Sequence, residues 1–280
     1  MNIKNTLNSG LKILNEYNIN NSILDSELLL AKAIKKDRQY IILNSEKELD
    51  KSSLKLFFNL VKRRKKGEPI AYLTNKKEFW NETFYINKNV LIPRPDTEII
   101  IEQILKTSSS KNQLQILDIG VGSGCILLSV LKEKPNFYGT GIDICRKSIN
   151  ISKYNAKMLH LKNRIRFFNS GIDNFNLGKY DIVVSNPPYI EFLKLKYLDR
   201  DVFNYEPKLA LNGGLDGYLM INKVVQKTST LIKKKGIFFL EIGFNQKNKV
   251  KEILKDNGFY INKILKDYGK HYRCIVSTKI

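Results

Sequence analysis

Through the first part of the chain, apolar residues fall three or four positions apart. Ile23 and Leu24, Leu28 to Ala31 and Ile34 trace one such face, and Leu54, Phe57, Phe58 and Val61 trace another before Gly67. That spacing predicts amphipathic helices. The pattern changes at residue 67. Gly67-Glu-Pro-Ile-Ala-Tyr-Leu-Thr74 reads as a loop, while Phe79-Trp80 and Thr83-Phe-Tyr-Ile86 alternate like the arms of a short hairpin. Prolines in Leu91-Ile-Pro-Arg-Pro-Asp-Thr-Glu98 then lead into a helix whose first turn carries Asp96 and Glu98, where acidic groups suit the helix dipole.

From residue 113 onward, strand and helix patterns alternate. Residues 114–119, 137–142, 165–168, 181–184 and 237–242 read as buried strands, and 125–131, 147–159, 218–232 and 246–257 as helices. Two last strands, 260–265 and 273–277, follow without a helical pattern between them, which calls for one antiparallel strand. Such alternation predicts an α/β fold: a mostly parallel, Rossmann-like sheet with helices on both faces.

Composition narrows the setting. The 280 residues, 42% of them hydrophobic, suffice for a large domain accompanied by a small one. No apolar stretch approaches the roughly 18 residues of a membrane span, and residues 1–20 lack an apolar core with a cleavage site, so neither a membrane partner nor a signal peptide is expected. Three scattered cysteines (Cys125, Cys145, Cys274) and two histidines (His160, His271) fit neither a disulfide framework nor a zinc site. No metal and a cytoplasmic location are the expectation.

The net charge of +21 resembles a nucleic-acid signature, but lysine outnumbers arginine 39 to 9 and alanine occurs five times. Those are the marks of AT-rich codons, and arginine is the sharper phosphate reader. Lys62-Arg-Arg-Lys-Lys66 and Lys233-Lys-Lys235 read as solvated helix ends, with Gly67 and Gly236 as helix-stop glycines. No obligatory nucleic-acid partner is expected.

Two motifs carry chemistry. Asp118-Ile-Gly120-Val121-Gly122-Ser123-Gly124 lies where a strand turns into a helix, so a ligand can approach the backbone and the free N–H groups of a helix N-terminus. The spacing departs from the dinucleotide fingerprint, which expects its third glycine at position 125, where Cys stands. Asp143 ends the next strand, placed to take both hydroxyls of a ribose or, alternatively, to cap the following helix. The second motif is Ser185-Asn186-Pro187-Pro188-Tyr189-Ile190 after the strand 181–184. Neither proline offers an N–H, and each fixes φ near −65°. The segment therefore presents acceptors, the Asn186 side-chain oxygen and nearby carbonyls, to a planar –NH2 on which Tyr189 can lie flat. Together the motifs favour S-adenosyl-L-methionine as cofactor and a nitrogen as methyl acceptor; a dehydrogenase would leave Asn186 to Tyr189 unexplained.

These segments, with Glu78-Phe-Trp80, Phe203-Asn-Tyr-Glu-Pro207 and Asp267-Tyr-Gly-Lys-His-Tyr-Arg273, resemble the HemK/PrmC family in order and spacing over nearly the whole chain. The resemblance implies a helical substrate-docking domain (1–75), a β-hairpin linker (76–92) and a seven-stranded S-adenosylmethionine-dependent methyltransferase domain (93–280). It implies as substrate the Gly-Gly-Gln glutamine of class-1 peptide-chain release factors, methylated on its side-chain amide nitrogen, and a monomeric enzyme. Asn186, Pro187 and Tyr189 would be catalytic, with Pro188 completing the substrate contacts. Gly120 to Gly124, Asp143, Ile172 and Asn186 would hold the cofactor. Ser170-Gly171-Ile172 departs from the family's Ser-Asp-Trp, leaving Ile172 as an apolar lid on adenine. Two rival enzymes share the tetrad: a glutamine methyltransferase acting on a ribosomal protein, and an adenine-N6 nucleic-acid methyltransferase. A third rival is a non-catalytic ribosome-associated binding protein.

Overall fold

A computed structural model describes residues 1–108 and 113–280. The chain forms two compact units, Met1–Lys76 with Asp199–Tyr205, and Lys77–Leu198 with Glu206–Ile280.

Helices α1 (Ile3–Glu16), α2 (Ser22–Ile34), α3 (Arg38–Leu43), α4 (Lys51–Arg64) and α5 (Ile70–Thr74) build the first unit. Side chains cap three of them: Asn2 accepts from Asn5 N–H, Asp37 from Tyr40 N–H, and Asp50 from both Ser52 and Ser53. Each such cap stabilises its helix by about 1 kcal/mol. Ile3, Leu14, Leu29, Leu30, Ile41 and Phe57 close the core. Two readings are corrected here. The segment 67–74 is not all loop, because Pro69 sits at the N-cap of α5, where its missing N–H costs nothing. The basic run is not all solvated either. Arg64 turns inward and donates Nε to the buried Asp25 carboxylate at 2.6 Å, while Arg63 forks onto Glu68.

The second unit continues with the hairpin strands β1 (Lys76–Phe79) and β2 (Glu82–Tyr85), then α6 (Glu98–Thr107), β3 (Gln115–Ile119), α7 (Cys125–Glu133), β4 (Tyr138–Asp143), α8 (Arg146–Met158), β5 (Ile165–Asn169) and β6 (Tyr180–Ser185). Next come α9 (Arg200–Tyr205), which groups with the first unit, and α10 (Leu219–Leu231), β7 (Ile232–Glu241), α11 (Lys247–Asp256), β8 (Phe259–Lys266) and β9 (Tyr272–Lys279). Seven strands form one sheet in the order β5-β4-β3-β6-β7-β9-β8. β9 alone runs antiparallel to its neighbours, between β7 and β8. The expected α/β sheet and its one reversed strand are therefore present.

One strand starts earlier than its pattern indicates. Lys233–Lys235 and Gly236 belong to β7 rather than to a helix end. The ladder shifts register beside β6, Lys235 takes φ +64°, and Lys233 pairs with Asp181. An irregular strand entry, like a helix end, leaves lysines in solvent, so composition does not separate the two. Among the described residues, no helix is long and apolar enough to cross a membrane.

Candidate active site

Strand order reverses around β3: the chain winds to β4 and β5 on one side, then returns to β6 and β7 on the other. Ligands of doubly wound sheets bind at the carboxyl ends of the strands flanking such a switch. Here those ends carry the glycine turn, Asp143 and the Asn-Pro-Pro-Tyr tetrad. Ile119 and Ser185 face each other in the β3–β6 ladder, and Ser185 Oγ donates to Ile119 O at 2.8 Å. The two motifs thus leave the sheet from the same rung.

The glycine turn is held from behind. Ser152 Oγ donates to Gly122 O at 2.7 Å, and Asn155 Nδ2 donates to Ser123 O at 2.8 Å. Asn155 also exchanges two hydrogen bonds with the Tyr85 backbone, tying the hairpin to the turn. Val121 and Ser123 are buried, and the N–H groups of Gly120, Val121, Gly122 and Gly124 already donate within the protein, which fixes the shape of the turn. Gly120 takes φ +80°, and a Cβ added there would meet no atom within 4 Å; one on Gly122 would meet only a backbone oxygen at 3.9 Å. Both glycines therefore border open space.

Asp143 already has two partners. Its Oδ2 accepts from Gly122 N–H at 3.0 Å and its Oδ1 from Cys145 N–H at 2.8 Å, ahead of α8. The Cys145 contact is a local turn ahead of α8, whose N-cap residue is Cys145 and has no side-chain cap hydrogen bond. The capping alternative is therefore not what the structure shows; the same carboxylate locks the glycine turn. Burial raises its pKa, and these two N–H donors oppose the rise. Asp118, wholly buried at the end of β3, is pushed up to about 8 by desolvation and by the Asp143 charge. Beside Asp143, Ile144 is 63% exposed and lies near Gly171, presenting an apolar face that sequence reasoning missed. Ile172 is only 8% exposed and packs in the core with Phe175.

Around the tetrad, Pro187 is buried, and Asn186, Pro188 and Tyr189 are half-buried. Gln246 braces the Tyr189 backbone: its Nε2 donates to Tyr189 O and Gly217 O, each at 3.1 Å, and its Oε1 accepts from Gly243 N–H. Behind Asn186 lies a polar cluster that the sequence did not single out. Asn186 Nδ2 stands 3.5 Å from Thr97 Oγ1, Thr97 Oγ1 donates to Glu241 Oε2 at 2.8 Å, and the Tyr189 hydroxyl lies 3.4 Å from Glu241 Oε1. Burial pushes Glu241 up to about 7, with Thr97 and Arg273 opposing, and likewise raises the Tyr189 phenol. Arg273 is aimed by Asp267, which accepts its Nε and an NH2, and it also lies 3.5 Å from Asp96.

Residues 5–74 match the PrmC N-terminal domain family and 95–263 the methyltransferase small domain family. The chain is 36% identical to the release factor glutamine methyltransferase of Clostridium acetobutylicum, across 100% of this chain and 99% of that protein. It is 38% identical to the enzyme of that name from Buchnera aphidicola subsp. Schizaphis graminum, across 100% of both.

The chain belongs to the release factor glutamine methyltransferase family.

A bifunctional methyltransferase of Rickettsia bellii is 35% identical over 98% of this chain, which spans 54% of that longer protein. Among solved structures, a ribosomal protein L11 methylase from Lactobacillus delbrueckii subsp. bulgaricus (TM-score 0.52, 16% identity, 73% of this chain, 90% of that one) shares the fold. So does a methyltransferase from Pyrococcus furiosus (TM-score 0.51, 19% identity, 70% and 88%). Like other members of the family, the protein is an enzyme, and S-adenosylmethionine is its methyl donor. The open space over Gly120 and Gly122, bordered by the Asp143 carboxylate, fits that group.

Proposed function

We propose that the protein methylates the side-chain amide nitrogen of the Gly-Gly-Gln glutamine in class-1 peptide-chain release factors, acting as a cytoplasmic monomer. The observation that carries this reading is the shared rung at Ile119 and Ser185, which sets an acceptor for a planar –NH2 beside the glycine turn. Full-length similarity to enzymes named for that substrate supports it. Within this reading, residues 1–75 dock the release factor, 76–92 form the linker and 93–280 carry the chemistry.

S-adenosylmethionine, when bound, supplies an electrophilic methyl group on a sulfonium. The turn Gly120 to Gly124 would cradle it, Asp143 would take the ribose, and Ile144 with Ile172 would offer apolar surface to the adenine. Amide nitrogen is a poor nucleophile because its lone pair is delocalised into the carbonyl. Orientation must therefore do most of the work. Asn186 Oδ1 and the Pro187 carbonyl each accept one amide N–H, which fixes the plane, and Tyr189 packs on its face beside Pro188. As positive charge develops on nitrogen, both acceptors bind it more strongly than they bind the ground state. The N-alkylated amide then sheds its proton readily, so no strong base is needed beforehand.

The test is incubation with labelled S-adenosylmethionine and, separately, release factor, ribosomal protein or nucleic acid, with mass spectrometry of the product. Label on the Gly-Gly-Gln glutamine is expected. Label on adenine or on a ribosomal protein instead would overturn the substrate assignment.

A further inference from the structure

The direction of one hydrogen decides how Asn186 faces. Thr97 Oγ1 carries a single hydrogen and lies 2.8 Å from Glu241 Oε2, where Glu241 is 2% exposed. A carboxylate offers only lone pairs, so the hydroxyl donates to it. Toward Asn186, 3.5 Å away, Thr97 then presents lone pairs alone. The Asn186 amide turns its –NH2 to Thr97 and its oxygen the other way.

Packing alone would not make that choice, because a carboxamide rotated by half a turn keeps nearly the same outline. Rotated, Asn186 would meet a substrate –NH2 donor to donor. The geometry points to Glu241 as a positioning residue that acts through Thr97 to hold the Asn186 oxygen toward the substrate. The inference rests on the reading of the tetrad as a glutamine-amide holder.

Two further features agree. Glu241 ends β7 directly after Leu240, which pairs with Ser185 in the adjacent strand, so sheet register rather than a loop places its carboxylate. Burying a carboxylate is costly unless it is paired, and the partners here converge from three elements. Thr97 comes from the turn before α6, Tyr189 from the tetrad and Arg273 from β9.

The test compares Asn186→Ala, Thr97→Val, Glu241→Ala and the double variant Asn186→Ala/Thr97→Val with wild type. Release-factor kinetics, calorimetry with S-adenosylmethionine and thermal unfolding are measured for each. Thr97→Val keeps the side-chain outline while removing the relay, so kcat should fall about tenfold or more, the scale of a lost oriented hydrogen bond. KM for release factor and cofactor affinity should stay within about threefold. In the Asn186→Ala background Thr97→Val should cost nothing further, since the two act as one unit. Full kcat in Thr97→Val, or an equal loss in both backgrounds, overturns the inference.

A second measurement is independent of turnover. The Asn186 side-chain NH2 resonances, identified by their absence in Asn186→Ala, should shift in Thr97→Val and Glu241→Ala; unmoved resonances overturn the inference even if Glu241→Ala is poorly folded for kinetics. Full methylation by Asn186→Ala would instead sink the reading of the tetrad, leaving the resonances to decide the relay.

Discussion

Gly213 lies directly behind Tyr189: a methyl group added to Gly213 would come within 2.8 Å of both the Tyr189 carbonyl carbon and its Cα. Those are backbone atoms, so no rotamer change relieves the clash. Gly213→Ala should displace the tetrad, with a cost of about 1–3 kcal/mol from overpacking. We expect kcat to fall about tenfold or more while S-adenosylmethionine affinity holds. Steady-state kinetics beside calorimetry would check this, and unaltered turnover would show that the loop yields.

Asp143→Ala should do two things at once. It frees the Gly122 and Cys145 N–H groups, loosening the glycine turn, and it removes the carboxylate assigned to the ribose. Hydrogen bonds to a charged group contribute about 1.5–3 kcal/mol each, so cofactor affinity should drop by at least about tenfold, with a lower unfolding midpoint. A lowered midpoint with full affinity would leave Asp143 as a brace of the glycine turn alone.

Asn155 is buried and satisfied by three backbone groups, from Tyr85 and Ser123. Its replacement by Ala strands them, and each buried group left unpaired costs about 1–3 kcal/mol. Denaturant titration should show a loss of that order for Asn155→Ala, larger than for an exposed Asn such as Asn8. Equal losses would mean that water substitutes for the side chain.

Protons on Asp118 should make the ligand-free fold more stable in acid than in base. Its folded pKa of about 8 lies above the ordinary 3.8, so the folded state holds the proton more tightly than the unfolded chain. That contribution is complete below about pH 4 and is lost as pH rises through 8, at no more than about 1.4 kcal/mol per pH unit for one proton. Chemical denaturation from pH 5 to 9 should show the decline, and Asp118→Asn should flatten it. An Asn variant with the same slope would point to another group.

Glu241 should shape the rate profile. It is pushed up to about 7 by burial, facing Thr97 and Asp96 from the turn before α6, Tyr189 from the tetrad, Arg273 and Cys274 from β9, and Cys125 from α7. Once protonated, it can donate as well as accept and no longer dictates the Thr97 hydrogen. Turnover should therefore fall as pH drops through about 7, and Glu241→Gln should lose that acid limb. A limb retained in Glu241→Gln would assign the titration elsewhere.

The glycine turn, Asp143 and the tetrad were legible because each stands at the end of an apolar run, where a strand must stop. Glu241 also ends such a run, but nothing in 237–242 marks a carboxylate as buried rather than exposed at a strand tip. Thr97 hid for a related reason: between Asp96 and Glu98 it reads as part of a helix start. Gln246 and Arg273 act across separations in the chain that periodicity does not span, and only the sheet order brings them to Tyr189 and Glu241. The lysines at 233–235 misled because a strand entry and a helix terminus expose the same side chains.

The rung shared by Ile119 and Ser185 has a consequence for how such an enzyme changes over time. Neighbouring strands stand about 4.8 Å apart whatever their side chains, so the gap between donor turn and acceptor tetrad is gauged by main-chain hydrogen bonding. A surface can drift far toward lysine and asparagine without altering that gauge. New substrates would be won or lost at the rim, by which –NH2 can reach in, while the spacing of the reaction itself is inherited unchanged.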